Sequence, residues 1–98
     1  MIRSLVFRRQ AREEFLAAGE WYERERSGLG EAFLAEVDRA LKLILDHPDA
    51  FPEMLDGVRK AVVKRFPYCL YFRVRGNVVV VLAVFHSARN PAIWRGRN

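Results

Sequence analysis

The stretch VVVVLAVF, residues 78–85, constrains the fold more than any other part of the chain. It has no polar residue at either set of alternate positions, so a strand formed from it is apolar on both faces. Such a strand is stable only inside a sheet whose two faces are covered. The run is also far shorter than the roughly 20 residues that a helix needs to cross a bilayer. It therefore predicts a buried strand and no membrane span. Together with the single cysteine and an N-terminus that lacks the pattern of a secretory signal, it leads us to expect a soluble, cytoplasmic protein with no membrane partner.

Two amphipathic helices are predicted in the first half of the chain. The first has an apolar residue every three or four positions, which is one face of a helix: Ala11, Phe15, Ala18 and Tyr22. Glycines at 28 and 30 end it. The second has a longer stripe before Pro48: Phe33, Val37, Ala40, Leu41, Ile44 and Leu45. Because the connection between them is short, we expect an antiparallel helical hairpin.

The other segments predict strands. Ile2–Phe7 is a short apolar strand before the helices, and Val58–Phe66 is a β-branched, basic strand after them. Between helix and strand, HPDAFPEMLDG contains two prolines and is predicted to be a loop. Tyr68–Val74 alternates, with Tyr68, Leu70, Phe72 and Val74 on one face and Cys69, Tyr71 and Arg73 on the other. Arg75-Gly76-Asn77 is a hairpin turn signal.

These elements predict an α+β fold in the order β-α-α-β-β-β. We expect one domain, residues 1–98, because the chain is too short for two. The expected sheet is small and antiparallel, and the N-terminal helical hairpin packs on one of its faces.

Charge and composition limit the classes of partner and cofactor that we expect. The formal net charge is +5, and no Asp or Glu follows Asp56, so the second half of the chain is basic. This asymmetry favours an anionic partner such as nucleic acid or an acidic protein. The single cysteine, Cys69, excludes an internal disulfide and a cysteine-based metal site. Since no phosphate-binding loop or metal-ligand spacing is present either, we expect no cofactor and no metal.

The candidate functional residues lie mainly in this basic half. Those predicted to contact a target are Arg59, Arg65, Arg73, His86, Arg89, Trp94 and Arg95. Arg and Trp are common anchors in protein interfaces, and a basic tail with a Trp is typical of one. Lys and Arg that protect a sheet edge from aggregation are the simpler explanation for part of the set. The glutamates of the helices are assigned to surface ion pairs, and Trp21 and Tyr22 to packing.

Two segments resemble a known family. RFPYCLYF and VLAVFHSARNP, together with the order of elements, are similar to the RelE/ParE superfamily of bacterial toxins. The resemblance extends over nearly the whole chain, although the helices match in pattern only. It implies a toxin of a type II toxin–antitoxin system, neutralised by a cognate antitoxin protein. The antitoxin is expected to place a helix between the hairpin and the sheet, with an added strand as an option, and to contact Phe33, Val37, Leu41 and Ile44.

The superfamily contains two activities. RelE-like members cleave messenger RNA on the ribosome and place an Arg directly after the Tyr that begins this strand, where Cys69 stands here. Those members also carry an Arg or a His near the end of the last strand. His86 is a candidate for that role, but Ser87 and not Arg stands next to it, and no Tyr follows in the tail. The resemblance therefore favours the ParE-like branch, which inhibits DNA gyrase by binding and has no catalytic residues. A ribosome-dependent mRNA endoribonuclease and a non-toxic homologue that only binds antitoxin are the alternatives.

A truncation tests the role of the basic tail. If Arg89, Trp94 and Arg95 contact the target, a chain ending at Ala88 is expected to lose toxicity while staying folded and bound to antitoxin. If Trp94 instead completes the core, its loss costs about 3–5 kcal/mol and unfolds so small a domain. Circular dichroism of the truncated chain and growth after its induction separate the two outcomes.

Overall fold

In a computed structural model of the chain, which describes residues 3–88 and Arg97, five strands and two long helices form the expected α+β fold. Strand β1 is Ser4–Phe7, and helices α1 and α2 are Arg9–Glu25 and Leu29–Asp46. A short 3-10 helix, Pro48–Ala50, precedes the remaining strands. These are β2 (Glu53–Leu55), β3 (Val58–Val62), β4 (Tyr68–Arg75) and β5 (Val78–His86).

The sheet is mixed, so the prediction of a purely antiparallel sheet is wrong. Its strand order is β1-β5-β4-β3-β2, and β1 runs parallel to β5 while the other neighbours are antiparallel. The helical hairpin explains the parallel pair. After β1 the chain crosses one face of the sheet through both helices, and it then returns strand by strand until β5 reaches β1.

The segment predicted as a loop contains β2. Its turn into β3 consists of Asp56 and Gly57, whose φ angles are 53° and 79°. Positive φ at both central residues is the type I′ geometry that matches the twist of a two-residue hairpin, and Asp-Gly is a favoured sequence for it. Strand β3 is shorter than predicted, because it ends at Val62 and not at Phe66.

Strand β5 is buried on both faces, as its composition predicts. Residues Val79 to Phe85 are at most 4% exposed. The face toward the helices contains Val79, Val81 and Val84, which pack with the apolar stripes of α1 and α2. The opposite face forms a second buried cluster: Val58, Cys69, Tyr71, Val80, Leu82, Ala83 and Phe85. Strand β4 divides between the two clusters as its alternation predicts.

Glycine allows α1 and α2 to approach closely near the start of α2. The connection between the helices turns at Gly28, whose φ is 88°. Glu23 accepts hydrogen bonds from the backbone N–H groups of Gly28 and Gly30, both at 3.0 Å, and so fixes the start of α2. A Cβ added at Gly30 would lie 2.7 Å from the carbonyl oxygen of Gly19 in α1. Neither helix of the described chain is long and apolar enough to span a membrane.

Replacing Gly30 with alanine is expected to destabilise the protein by about 1–3 kcal/mol, because the new methyl group forces the helix backbones apart. Gly19→Ala is the matched control. Its Cβ would meet only the Leu34 Cδ2 atom, at 3.8 Å, and alanine is the better helix former by up to about 1 kcal/mol. Urea unfolding measures both variants, and equal losses in the two would contradict the close-contact explanation.

Candidate functional site

An open cleft lies between α1 and the adjoining ends of β4 and β5. Its volume is about 300 Å³, and its lining residues are Glu14, Ala17, Ala18, Trp21, Tyr68, Val84 and His86. The small side chains of Ala17 and Ala18 leave the space, and the rings of Trp21, Tyr68 and His86 surround it. We call this feature the Trp21 cleft. It continues past Pro67 as a second opening that also contacts Tyr22.

The rings of the cleft are positioned by the sheet and by the core. Tyr68 begins β4 and pairs with His86 at the end of β5, so their rings meet edge to face at 5.4 Å. Trp21 contacts the ring of Tyr22 at 5.1 Å, and Tyr22 itself is buried against Phe66. Trp21 nevertheless remains 50% exposed. A half-exposed Trp beside an apolar cleft is typical of a surface that binds another protein.

His86 ends the last strand through local hydrogen bonds. Its Nδ1 atom accepts a hydrogen bond from the backbone N–H of Ala88 at 3.1 Å, and the N–H of Ser87 donates to the carbonyl of Pro67 at 2.8 Å. This bond holds the imidazole ring of His86 in the wall of the Trp21 cleft.

Two titratable side chains in this region remain neutral. Burial, followed by the neighbouring Tyr68, raises the pKa of Tyr22. Burial also raises the pKa of the Cys69 thiol, against the opposing effect of Lys60. Cys69 is only 3% exposed in β4, where it packs as a small core residue. Among residues 3–88 and Arg97, no group of His, Cys, Asp and Glu is placed to hold a metal ion.

The arginines predicted to contact a target do not form one patch. Arg59 donates to the carbonyl of Phe51 at 2.6 Å, and Arg73 donates to the carbonyl of Asp56 at 2.9 Å. Both therefore stabilise the β2–β3 region. Arg73 pairs with Val80, six residues before His86 on β5, which corresponds to roughly 20 Å along the strand. The structure thus separates these arginines from His86.

Arg65 lies beside α2, apart from the arginines of the β2–β3 region and from His86. Glu36 is buried at 5% exposure, and its two carboxylate oxygens lie 2.7 Å from Arg39 Nη1 and 3.4 Å from Arg65 Nη1. The backbone of Arg65 has a φ angle of 70°, which is unfavourable for a residue with a Cβ. The ion pair between Arg65 and Glu36 helps to hold this conformation. Hydrogen bonding to Arg39, with a smaller contribution from Arg65, holds the pKa of Glu36 below its ordinary value.

Arg89, Trp94 and Arg95 lie outside the described residues. Arg97 is described, and it pairs with Glu14 at 3.0 Å while both side chains are mostly buried. A chain that ends at Ala88 also lacks this ion pair, so the truncation changes more than the predicted target contacts. Substituting Trp94 or Arg95 in place, with Arg97 retained, is the cleaner test of those residues.

The side chains predicted to contact an antitoxin are in the core. Phe33, Val37 and Ile44 have no exposed surface, and Leu41 is 9% exposed. The helix-facing side of the sheet and the neighbouring aromatic rings cover this stripe of side chains. In the folded chain, a partner can reach the exposed residues beside them, among which are Leu16, Trp21, Leu34 and Leu43.

Sequence reasoning missed two residues of this region. It assigned Glu14 to the surface and Trp21 to packing, whereas Glu14 is mostly buried and Trp21 is half exposed. A signal for Glu14 was present. Position 14 is three residues after Ala11 and four before Ala18, so it lies on the buried face of α1. Its ion pair with Arg97 joins residues 83 positions apart and has no local signature.

Comparison with models of protein families identifies one family. The family model described as ParE toxin of type II toxin–antitoxin system, parDE, matches residues 5–91. A solved structure titled chromosomal ParDE TA system from P. aeruginosa is similar over 87% of this chain and 96% of that chain, with a TM-score of 0.75 and 20% sequence identity. At that identity the likeness shows the fold. Comparison with curated proteins gives no match.

Replacing Glu36 with glutamine is expected to lower the free energy of unfolding at neutral pH, because the two arginines lose their charged partner. Since the pKa of Glu36 is lowered in the folded state, its contribution is present above the ordinary value of 4.5. It is lost as the pH falls through the folded pKa. Urea unfolding from neutral to acidic pH should therefore show the two proteins converging. Glu20→Gln on the exposed face controls for charge, and a gap that persisted in acid would contradict the explanation.

Proposed function

This chain belongs to the ParE toxin family of type II toxin–antitoxin systems, and from that membership we propose that it stops growth by binding DNA gyrase. We also propose that a co-encoded antitoxin neutralises it in the cytoplasm. The observation that carries the proposal is the family match over residues 5–91, which includes both segments that carry the resemblance, RFPYCLYF and VLAVFHSARNP.

The chemistry around β4 supports binding over RNA cleavage. Cleavage of RNA by 2′-OH attack needs a cation or strong donors at the pentacoordinate phosphate, and an acid for the leaving oxygen. At the position where RelE-like members carry Arg, this chain has the buried, neutral thiol of Cys69. A thiol with a raised pKa supplies neither positive charge nor a strong hydrogen bond. His86, the remaining candidate, faces the Trp21 cleft on the helix side, whereas Cys69 belongs to the opposite cluster.

The Trp21 cleft is the surface that best fits the antitoxin. It lies between α1 and the sheet, where a helix of a partner can place an apolar side chain against Trp21 and Tyr68. This location between the hairpin and the sheet is the one predicted from the sequence. The residues in contact, however, are those that line the Trp21 cleft and not the buried side chains of α2. Because the chain carries +5, an acidic antitoxin should bind it less tightly as salt is added.

Induction of the chain in bacteria tests the target. We expect plasmid DNA to lose negative supercoils before incorporation of labelled amino acids falls, since gyrase is blocked first. Co-expression of the antitoxin is the control and should prevent both changes. If translation fails first and ribosome-bound messages are cut, the chain is a ribonuclease. If growth continues although folded protein accumulates, it is a non-toxic antitoxin-binding homologue. Either result would overturn the gyrase proposal.

Trp21→Ala is expected to weaken antitoxin binding by roughly 30-fold, because a buried Trp anchor typically contributes about 2 kcal/mol. Leu43→Ala is the matched control: Leu43 is 51% exposed but lies on α2, and it is not among the lining residues of the Trp21 cleft. Calorimetric titration of the two variants with the co-encoded antitoxin measures the difference. If both variants bound the antitoxin as tightly as the unchanged chain does, the antitoxin would bind to a surface other than the Trp21 cleft.

A further inference from the structure

The outer edge of β5 is covered by side chains where its neighbouring strand stops. Strand β1 pairs with β5 as far as Phe7 and Val81, and the N–H of Arg8 donates to the carbonyl of Val81 at 3.0 Å. Beyond that point, the N–H of Val84 donates to Glu14 Oε1 at 3.1 Å, and the carbonyl of Leu82 accepts from Arg97 Nη1 at 2.9 Å. A carboxylate and a guanidinium thus take the places of the carbonyl and N–H groups of a strand.

Arg97 is bound on three sides. Its two terminal nitrogens, Nη1 and Nη2, donate to Glu14 Oε1 and Oε2 at 3.0 and 3.1 Å. Nη1 also donates to the Leu82 carbonyl, and the Cζ atom lies 5.2 Å from the centroid of the Phe85 ring. The side chain of Arg97 is 13% exposed and that of Glu14 is 16% exposed. Partial burial strengthens each of these contacts because water competes less for them.

The geometry suits a guanidinium and not an ammonium. The parallel pair of hydrogen bonds to Glu14 needs two donors in one plane, and the third bond needs a further donor on the same fork. A planar guanidinium supplies these donors while it also contacts an aromatic ring, whereas an ammonium is a point charge without that fork. Val84 contributes by holding the carboxylate of Glu14 in place.

We infer that Glu14, the Leu82 carbonyl and the Phe85 ring form an arginine-binding site, which Arg97 occupies in the free chain. These groups select a guanidinium by its planar fork of donors, its charge and its contact with an aromatic ring. A molecule that covers this end of β5 in place of Arg97 therefore matches the site best when it brings an arginine of its own. This inference does not depend on the gyrase proposal.

Chemical rescue of Arg97→Ala tests the site. The variant is expected to melt at least about 5 °C below the unchanged chain, because a mostly buried ion pair is broken. Ethylguanidinium at millimolar concentration should raise the melting temperature of the variant by about 2 °C or more, while leaving that of the unchanged chain, whose site is filled, without an increase. Ethylammonium, with the same charge and no fork, should give no increase in either protein.

The double variant Glu14→Gln, Arg97→Ala identifies the site of rescue, and it should not respond to ethylguanidinium. An equal response in the double variant, an equal response to ethylammonium, or no response in Arg97→Ala would each overturn the inference. If Arg97→Ala does not fold, Arg97→Lys replaces it in the same comparison. That variant keeps the charge, and the inference requires it to melt below the unchanged chain and to be stabilised by ethylguanidinium alone.

Discussion

The burial of β5 on both faces is the constraint on which the rest of the structure depends. A strand with valine, leucine and phenylalanine on either side needs two covers and two lateral neighbours. The helical hairpin supplies one cover, and β1 and β4 supply the neighbours. Because β1 is only four residues long, no strand of the described residues pairs with the outer edge of β5 beyond Val81. There the backbone is satisfied by Glu14 and Arg97, and the Trp21 cleft opens next to it.

Much of this fold can be predicted from periodicity, because periodicity reports which face of an element is buried. The stripes of both helices and the alternation of β4 are found in the core as expected. Periodicity does not report which strands are neighbours, and for that reason the parallel pairing of β1 with β5 was missed. Strand β2 was missed for another reason. Asp56-Gly57 is a hairpin signal, but Pro48 and Pro52 before it favoured a loop.

The candidate site was harder to predict because its residues act over long distances in sequence. Net charge indicated the sign of a partner but not where the arginines are used. Arg59 and Arg73 bind carbonyls of the β2–β3 region, and Arg65 pairs with a glutamate of α2. The arginines of this basic segment are therefore distributed over two separate places in the fold. The exposure of Trp21 was also missed, because periodicity assigns every aromatic residue beside a helix stripe to the core.

The pairing of the first strand with the last has a consequence for how the chain folds during synthesis. Ser4 pairs with Val78 in the sheet, and its N–H donates to the carbonyl of Asn77. The sheet therefore cannot be completed until β5 has left the ribosome. Local contacts can form the helices early, but contacts between distant segments must wait for the end of the chain and form slowly. Until then the apolar stripe of α2 has no sheet to cover it. Newly made molecules thus pass through a period in which the sheet is incomplete and exposed apolar surface makes them prone to association.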